Sequence, residues 1–224
     1  MPVKSLLFLG KKHDPHTDAA LAFCRRNVPD VTACLGTWDT PLPDEVGFWR
    51  GDVIVSYLSR WVVPDALLRR AAVAAINFHP ATPHYPGIGC VNFALYDGAR
   101  EYGVTCHHMA PRVDTGAIIA VKRFPILETD NVATLLARAY HYQLALFYDI
   151  AGAIMAGEPI PVSGERWARE ALTRKAFNRL GQITPDMDHT EVARRVRATS
   201  FGEWGPTMTL HGFTFKLETP TREQ

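Results

Sequence analysis

AAVAAINFHPATPHYPGIG, residues 71–89, opens as an apolar run and closes as a loop carrying Pro80, Pro83, Pro86, Gly87 and Gly89. Ala74 to Phe78 is too short for an ordinary helix and reads as a buried strand. The prolines then forbid its continuation. Asn77 and His79 therefore stand at the carboxyl end of a strand, on one face of it, because side chains alternate along a strand.

Upstream, Pro64 suits the first turn of a helix through Ala66 to Arg70 that returns the chain to this strand. Asp52 to Leu58 is a third strand and Val31 to Leu35 a second, with TWDTPLPDEVGFWRG, residues 37–51, as a loop between them. Val3 to Gly10 is the first strand, and Thr17 to Arg26 a helix capped by Thr17. The order β-α-β-loop-β-α-β predicts an α/β fold, a Rossmann-like, mostly parallel twisted sheet with helices on both faces. In such sheets ligands lie beyond the carboxyl ends of the strands, where Asn77, His79 and their loop stand.

Downstream, Tyr102 to Met109 and Gly116 to Phe124 read as strands joined by APRVDTG in an antiparallel edge or hairpin. Thr129 or Asp130 caps a helix from Val132 to Ala156, which Gly157 and Pro159 end. Beyond it the chain turns basic, and Pro206 to Leu217 alternates like a β-hairpin with Gly212 at its turn. These changes divide the chain into a main domain, 1–159, and a small C-terminal α+β appendage, 160–224. The terminal hairpin pairs either between the subunits of a homodimer or within its own chain.

A net charge of +1 over 224 residues supplies no phosphate-binding field, so no nucleic-acid partner is expected. No segment approaches the roughly 20 apolar residues that cross a bilayer, so no membrane partner is expected either. Cys24, Cys34, Cys90 and Cys106 form no CxxC pair, and MPVKSLLFLG lacks the order of a signal peptide. A reduced, cytoplasmic protein is the expectation. The seven basic residues Arg166, Arg169, Arg174, Lys175, Arg194, Arg195 and Arg197 read as solvated helix faces, with an anion site as the alternative.

Asn77, His79 and Asp114 together would satisfy acyl transfer, which needs a donor for a developing oxyanion, a group that moves a proton, and an acid that orients that group. The spacing alone leaves a structural reading open, in which Asn77 and His79 satisfy loop backbone and Asp114 caps its own turn. His79, His84, His107 and His108 could be drawn around zinc, but no ligand cluster stands out and no metal is expected.

Asn77-Phe78-His79-Pro80, then Pro83, Tyr85 and Gly87, then Gly103-Val104-Thr105 with His107, then Asp114-Thr115-Gly116, closely resemble the 10-formyltetrahydrofolate-dependent formyltransferase family over about residues 52–126. The resemblance implies Asn77, His79 and Asp114 as the catalytic triad, with 10-formyltetrahydrofolate as co-substrate. It places the folate against Arg60, Trp61, Val62 and the stretch ending at Asp114, and the acceptor against Tyr85, Gly87 and Asn92. Many members carry a Leu-Leu-Pro and then a Tyr-Arg-Gly in this loop. Here Ala81-Thr82-Pro83 and Tyr85-Pro86-Gly87 lack the Arg, which speaks against glycinamide ribonucleotide and methionyl-tRNA. The loop looks more like that of the branch acting on nucleotide-linked amino sugars, so a small-molecule amine of that kind is the expected acceptor. Formylation of a peptide, siderophore-precursor or glycinamide ribonucleotide amine, and hydrolysis of the folate, are the alternatives.

Overall fold

The computed structural model describes residues 1–218. Its main sheet has six strands: β1 Ser5–Lys11, β2 Asp30–Gly36, β3 Gly51–Tyr57, β4 Ala71–His79, β5 Glu101–His108 and β6 Ile118–Pro125. The order is β2-β1-β3-β4-β5-β6, with the first four strands parallel and the last two antiparallel to their neighbours. The expected mostly parallel α/β sheet is the fold found, with the antiparallel β5–β6 pair at its edge.

β1 shows why this chain makes a two-faced sheet. Leu6 and Phe8 join one core with Val53, Val55, Ile76 and Phe78, while Leu7 and Leu9 join a second core with Ile54, Val63 and Leu67. Apolar residues at both parities of the strand demand cover on both faces. The first face is covered by α1 Pro15–Asn27 and α4 Val132–Ala156, the second by the single turn α2 Asp65–Leu68 and a 3₁₀ turn at Asp44–Phe48. β1 thus sends its connection to one face and β3 to the other, which opens a crevice at the carboxyl ends of these strands.

α4 covers the first face because its buried stripe, Leu135, Ala139, Leu146, Phe147, Ile150 and Ile154, recurs at helical spacing. Phe147 is fully buried and meets Tyr57 and Phe78 edge-on, at ring-centroid distances of 5.3 and 5.1 Å. Buried Gln143 donates its amide to the Phe78 carbonyl at 2.7 Å, tying the helix to the strand end between Asn77 and His79.

The helix caps differ from expectation. Asp14, not Thr17, caps α1, accepting from the His16 and Thr17 amides, because Pro15 fills the first helical position and Thr17 is drawn into the core. Asn131, rather than Thr129 or Asp130, caps α4 in a reciprocal pair with Thr134, while Asp130 is engaged by Arg138 and the Leu127 amide. Asn131→Ala is expected to cost about 1 kcal/mol in a denaturant unfolding curve, and an unchanged midpoint would show that this cap contributes nothing.

A short helix, α3 Cys90–Tyr96, follows the proline loop and was not anticipated. The C-terminal part holds α5 Arg174–Leu180, α6 His189–Thr199 and a three-stranded sheet of β7 Gln182–Ile183, β8 Thr207–Leu210 and β9 Phe213–Lys216, the last two forming the expected hairpin within the chain. α6 packs on α3 and α4. Its arginines are largely structural: Arg195 and Arg194 pair with Glu191, and Arg197 donates to the carbonyls of Leu127, Glu128 and Asp130.

Candidate active site

The loop after β4 is held by an almost complete set of backbone partners. The carbonyls of Pro80 and Ala81 accept from Tyr102 and Thr105 of β5, and that of Thr82 accepts from the Tyr85 amide. Those of Pro83 and Pro86 accept from the amides of Ala168 and Leu172, and the Ile88 amide donates back to Leu172. Three prolines lower the number of donors the loop must satisfy and restrict its backbone. The loop is therefore fixed on one side by β5 and on the other by residues 168–172 of the C-terminal part.

This fixed loop, the end of β4 and the β5–β6 connection bring the sequence's three polar candidates together. His79 Nδ1 lies 3.3 Å from Asp114 Oδ2, and the Gly87 amide donates to the same oxygen at 2.7 Å. The other ring nitrogen of His79 is 2.9 Å from the Tyr85 carbonyl. Both nitrogens thus face oxygen acceptors, an arrangement satisfied in full only when both carry protons. Asp114 sits in the left-handed region at φ 49°, held there by these contacts.

A fourth member joins them. His107 is directly opposite Asn77 in the β4–β5 pairing, 3.3 Å from Asp114 Oδ1 and 3.1 Å from the Asn77 amide. Its other nitrogen donates to the His108 carbonyl at 2.8 Å. Asp114 is therefore clamped between two imidazoles, and Asn77 is oriented through the second of them. The register that places His107 here follows from the antiparallel pairing of β4 with β5; alternation alone could not tell His107 from His108. Trp167 lies across the pair, its ring 5.8 Å from His79 and 5.0 Å from His107, with its indole donating to the Gly116 carbonyl at 2.8 Å. No local signal near residue 167 pointed to it.

Burial of Asp114 favours its neutral form, but His79, His107 and the Gly87 amide outweigh this and hold its carboxyl down to about 2. Its stabilising effect is accordingly present above the unfolded value near 4 and lost as pH falls through about 2. Stability lost between those pH values is expected to be smaller in Asp114→Asn by an amount on the order of 2 kcal/mol. Superimposable pH–stability curves from denaturant melts would remove Asp114 as the source. The Cys90 thiol, pushed up to about 12 by burial and by Asp114, stays protonated and donates to the Gly87 carbonyl at 3.3 Å.

Asn77, His79, His107 and Asp114 open onto a cleft of about 650 Å³ at the carboxyl ends of β3 and β4. Arg60, Trp61 and Val62 line it, although the Trp61 indole is committed to the Thr40 carbonyl and its ring abuts Gly36. Gly87 and Asn92 also line it, but the Asn92 amide donates to the Ala198 carbonyl at 2.6 Å. Tyr85 is placed differently from expectation: its ring is buried beside Tyr102 and Arg169, because the loop turns it into the core, and only its carbonyl reaches His79. Cleft residues that the sequence did not single out include Trp38 and Phe177; Cys90 and Arg174, one of the seven basic residues with an anion site as their alternative reading, also line it.

Residues 39–149 match the Formyl transferase family. The methionyl-tRNA formyltransferase of Levilactobacillus brevis is 34% identical over 112 residues, which are 50% of this chain and 36% of that protein. The chain spans about half the length or less of the curated relatives it matches. A sugar N-formyltransferase from Shewanella shares the fold at TM-score 0.77 and 19% identity, over 96% of this chain and 97% of that one. An N-formyltransferase from Helicobacter canadensis, solved in complex with folinic acid and dTDP-3-aminofucose, shares it at TM-score 0.66 and 18% identity, over 88% of this chain and 80% of that one. Among the described residues no helix is long and apolar enough to cross a membrane.

Proposed function

We propose that the formyl transferase domain over residues 39–149 makes this chain an enzyme that moves a formyl group from 10-formyltetrahydrofolate to a primary amine, the acceptor being an amino sugar linked to a nucleoside diphosphate. The observation that carries the reading is the convergence of Asn77, His79 and Asp114 on one cleft. In this reading the amine attacks the formyl carbon, and the carbonyl oxygen gathers negative charge. The Asn77 amide and a protonated His79 donate to that oxygen, and Asp114 holds His79 in position and stabilises its charge. His79 must first exchange its bond to the Tyr85 carbonyl for one to the substrate, a short rotation of a ring that Asp114 already anchors. The adduct then collapses as the bond from the formyl carbon to N10 of the folate breaks, the amine giving up its proton through this pair or through water while N10 takes one up and leaves as tetrahydrofolate.

A cleft of this size, apolar over most of its wall with a few convergent polar groups, suits a pteridine and its attached ring. The neighbour from Helicobacter canadensis, bound to folinic acid and dTDP-3-aminofucose, supports a nucleotide-linked amino sugar as the acceptor. The four cysteines, all free, suit a cytoplasmic location. A homodimer would have a surface at β9, whose Phe213 and Phe215 are exposed.

The test is turnover of 10-formyltetrahydrofolate with a panel of nucleotide-linked amino sugars, following tetrahydrofolate by absorbance and product by mass. One formylated sugar establishes reaction and acceptor. Tetrahydrofolate release without a formylated product would make the enzyme a hydrolase. No turnover with any amine would overturn the reading.

A further inference from the structure

Trp167 is a large apolar side chain that joins neither hydrophobic core. Among the described residues its ring neighbours are His79, with 72° between the planes, and His107, with 88°, so it stands edge-on to both. Packing for stability would turn such a ring inward onto aliphatic side chains. Here it covers two imidazoles that share one carboxylate.

Its placement is fixed on several sides. The indole N–H donates to the Gly116 carbonyl, two residues after Asp114, and the adjacent Ala168 amide donates to the Pro83 carbonyl of the catalytic loop. Upstream, Glu165 accepts from both terminal nitrogens of Arg123 on β6, and the Ser163 amide donates to the Ile118 carbonyl at 3.2 Å. Gly116 lies so close to the His108 carbonyl that a Cβ there would run into it, so the turn that carries Asp114 is pressed between β5 and the indole.

Asp114 lines both the main cleft and a second cavity of about 450 Å³, whereas His79 and His107 reach only the first and Trp167 only the second. The side chains of His79, Asp114 and His107 are nonetheless only 6, 5 and 3% exposed. The indole is thus the partition between that cavity and the imidazoles. Water in reach of Asp114 would compete with the imidazole N–H groups for its oxygens and weaken their attraction to its charge.

We propose that Trp167 is a positioning residue for formyl transfer. Its indole closes the cluster of His79, Asp114 and His107 on the side away from the cleft, holds both rings on the carboxylate, and keeps water of the second cavity from them. When His79 Nε2 leaves the Tyr85 carbonyl for the substrate, Nδ1 then stays on Asp114. The role rests on the reading of this cluster as the catalytic group. It lets the C-terminal part contribute to the reaction without touching the substrate.

The experiment compares the wild type with Trp167→Phe, which keeps a ring but loses the bond to Gly116, and Trp167→Ala, which loses both. One reading needs no substrate: the exchange with water of the His79 and His107 imidazole N–H protons, followed by NMR and assigned through His79→Asn and His107→Gln. Exchange about tenfold faster than wild type is expected in Trp167→Ala and near-wild-type exchange in Trp167→Phe. The other reading is formyl transfer. Trp167→Ala should lose about tenfold or more in kcat with KM for both substrates within about twofold, and Trp167→Phe should restore most of the rate. Thermal melting checks the fold, and Trp167→Leu replaces Trp167→Ala in both readings if the latter is unfolded at the assay temperature. Equal exchange in all the proteins, a loss confined to KM, or equal losses of kcat in Trp167→Phe and Trp167→Ala would overturn the proposal. Were no amine formylated by the wild type, the reading of the reaction would fall, and exchange alone would decide whether the indole shields the pair.

Discussion

His79→Asn is expected to lower the turnover number for formyl transfer by about 10² or more, with Asn77→Ala and Asp114→Ala falling by a similar factor. Each removes a group that meets the transition state or fixes one that does, so the loss should appear in kcat more than in KM. A factor of 10² corresponds to about 2.7 kcal/mol of barrier, the usual worth of one oxyanion donor in a site that excludes water. His79 is 5% exposed and Asp114 7%, so water offers little substitute for either. The effects should not add, since Asp114 acts through His79. Asp114→Ala in a His79→Asn background should cost much less than in the wild type. His107→Gln tests the fourth member: it touches Asp114 and Asn77 but the reaction assigns it no proton, so a smaller loss than at His79 is expected. Near-normal rates in Asn77→Ala, His79→Asn and Asp114→Ala alike would sink the mechanism.

The parts of this molecule that could be read from its sequence are those set by local pattern. β1 and β3 are runs buried on both faces, and β4 is an apolar run buried at Ala74, Ile76 and Phe78; such runs stand out without knowledge of neighbours. α4 carries its own period, stop signal and length, and its bounds at Val132 and Ala156 coincide with those expected. Asn77 and His79 were legible because a strand end followed by three prolines is a place where polar groups have a task. α3 was missed because seven residues after a Gly-Ile-Gly turn give too little periodicity to separate from a loop. The cap of α1 was misplaced by three residues because Asp14 and Thr17 are both good capping types, and burial of Thr17 decides between them.

The remainder of the site depends on contacts between distant segments. His107 meets Asn77 across 30 residues of sequence through strand register, and Trp167 covers both histidines from a region read as an appendage. The hydrogen bonds from Ala168 and Leu172 to Pro83 and Pro86 make that region a wall of the catalytic loop. Composition marks where the chain changes character near residue 160, but it carries no information about what the later segment touches.

Gly87 is where that wall and the catalytic group meet, and Gly87→Ala should show the dependence of one on the other. Its φ of +88° is a conformation that costs an alanine about 1 kcal/mol or more. Space adds a second cost: a Cβ there would run into the carbonyl oxygen and amide nitrogen of Leu172, and backbone cannot swing aside as a flexible side chain can. Relief requires residues 168–172 to lift from the loop, which breaks the bonds to Pro83 and Pro86, or the loop to shift, which withdraws the Gly87 amide from Asp114. A loss of stability of about 3 kcal/mol is expected, together with a fall in turnover of at least about tenfold measured where the variant is still folded. Gly98→Ala is the control, since Gly98 also has a positive φ, 65°, but nothing within 4 Å of its Cβ position. It should lose about 1 kcal/mol and keep its rate. Equal losses of stability in the two variants would reduce the Gly87 effect to backbone strain, whereas the expected difference measures how firmly the C-terminal segment presses on the loop that seats Asp114.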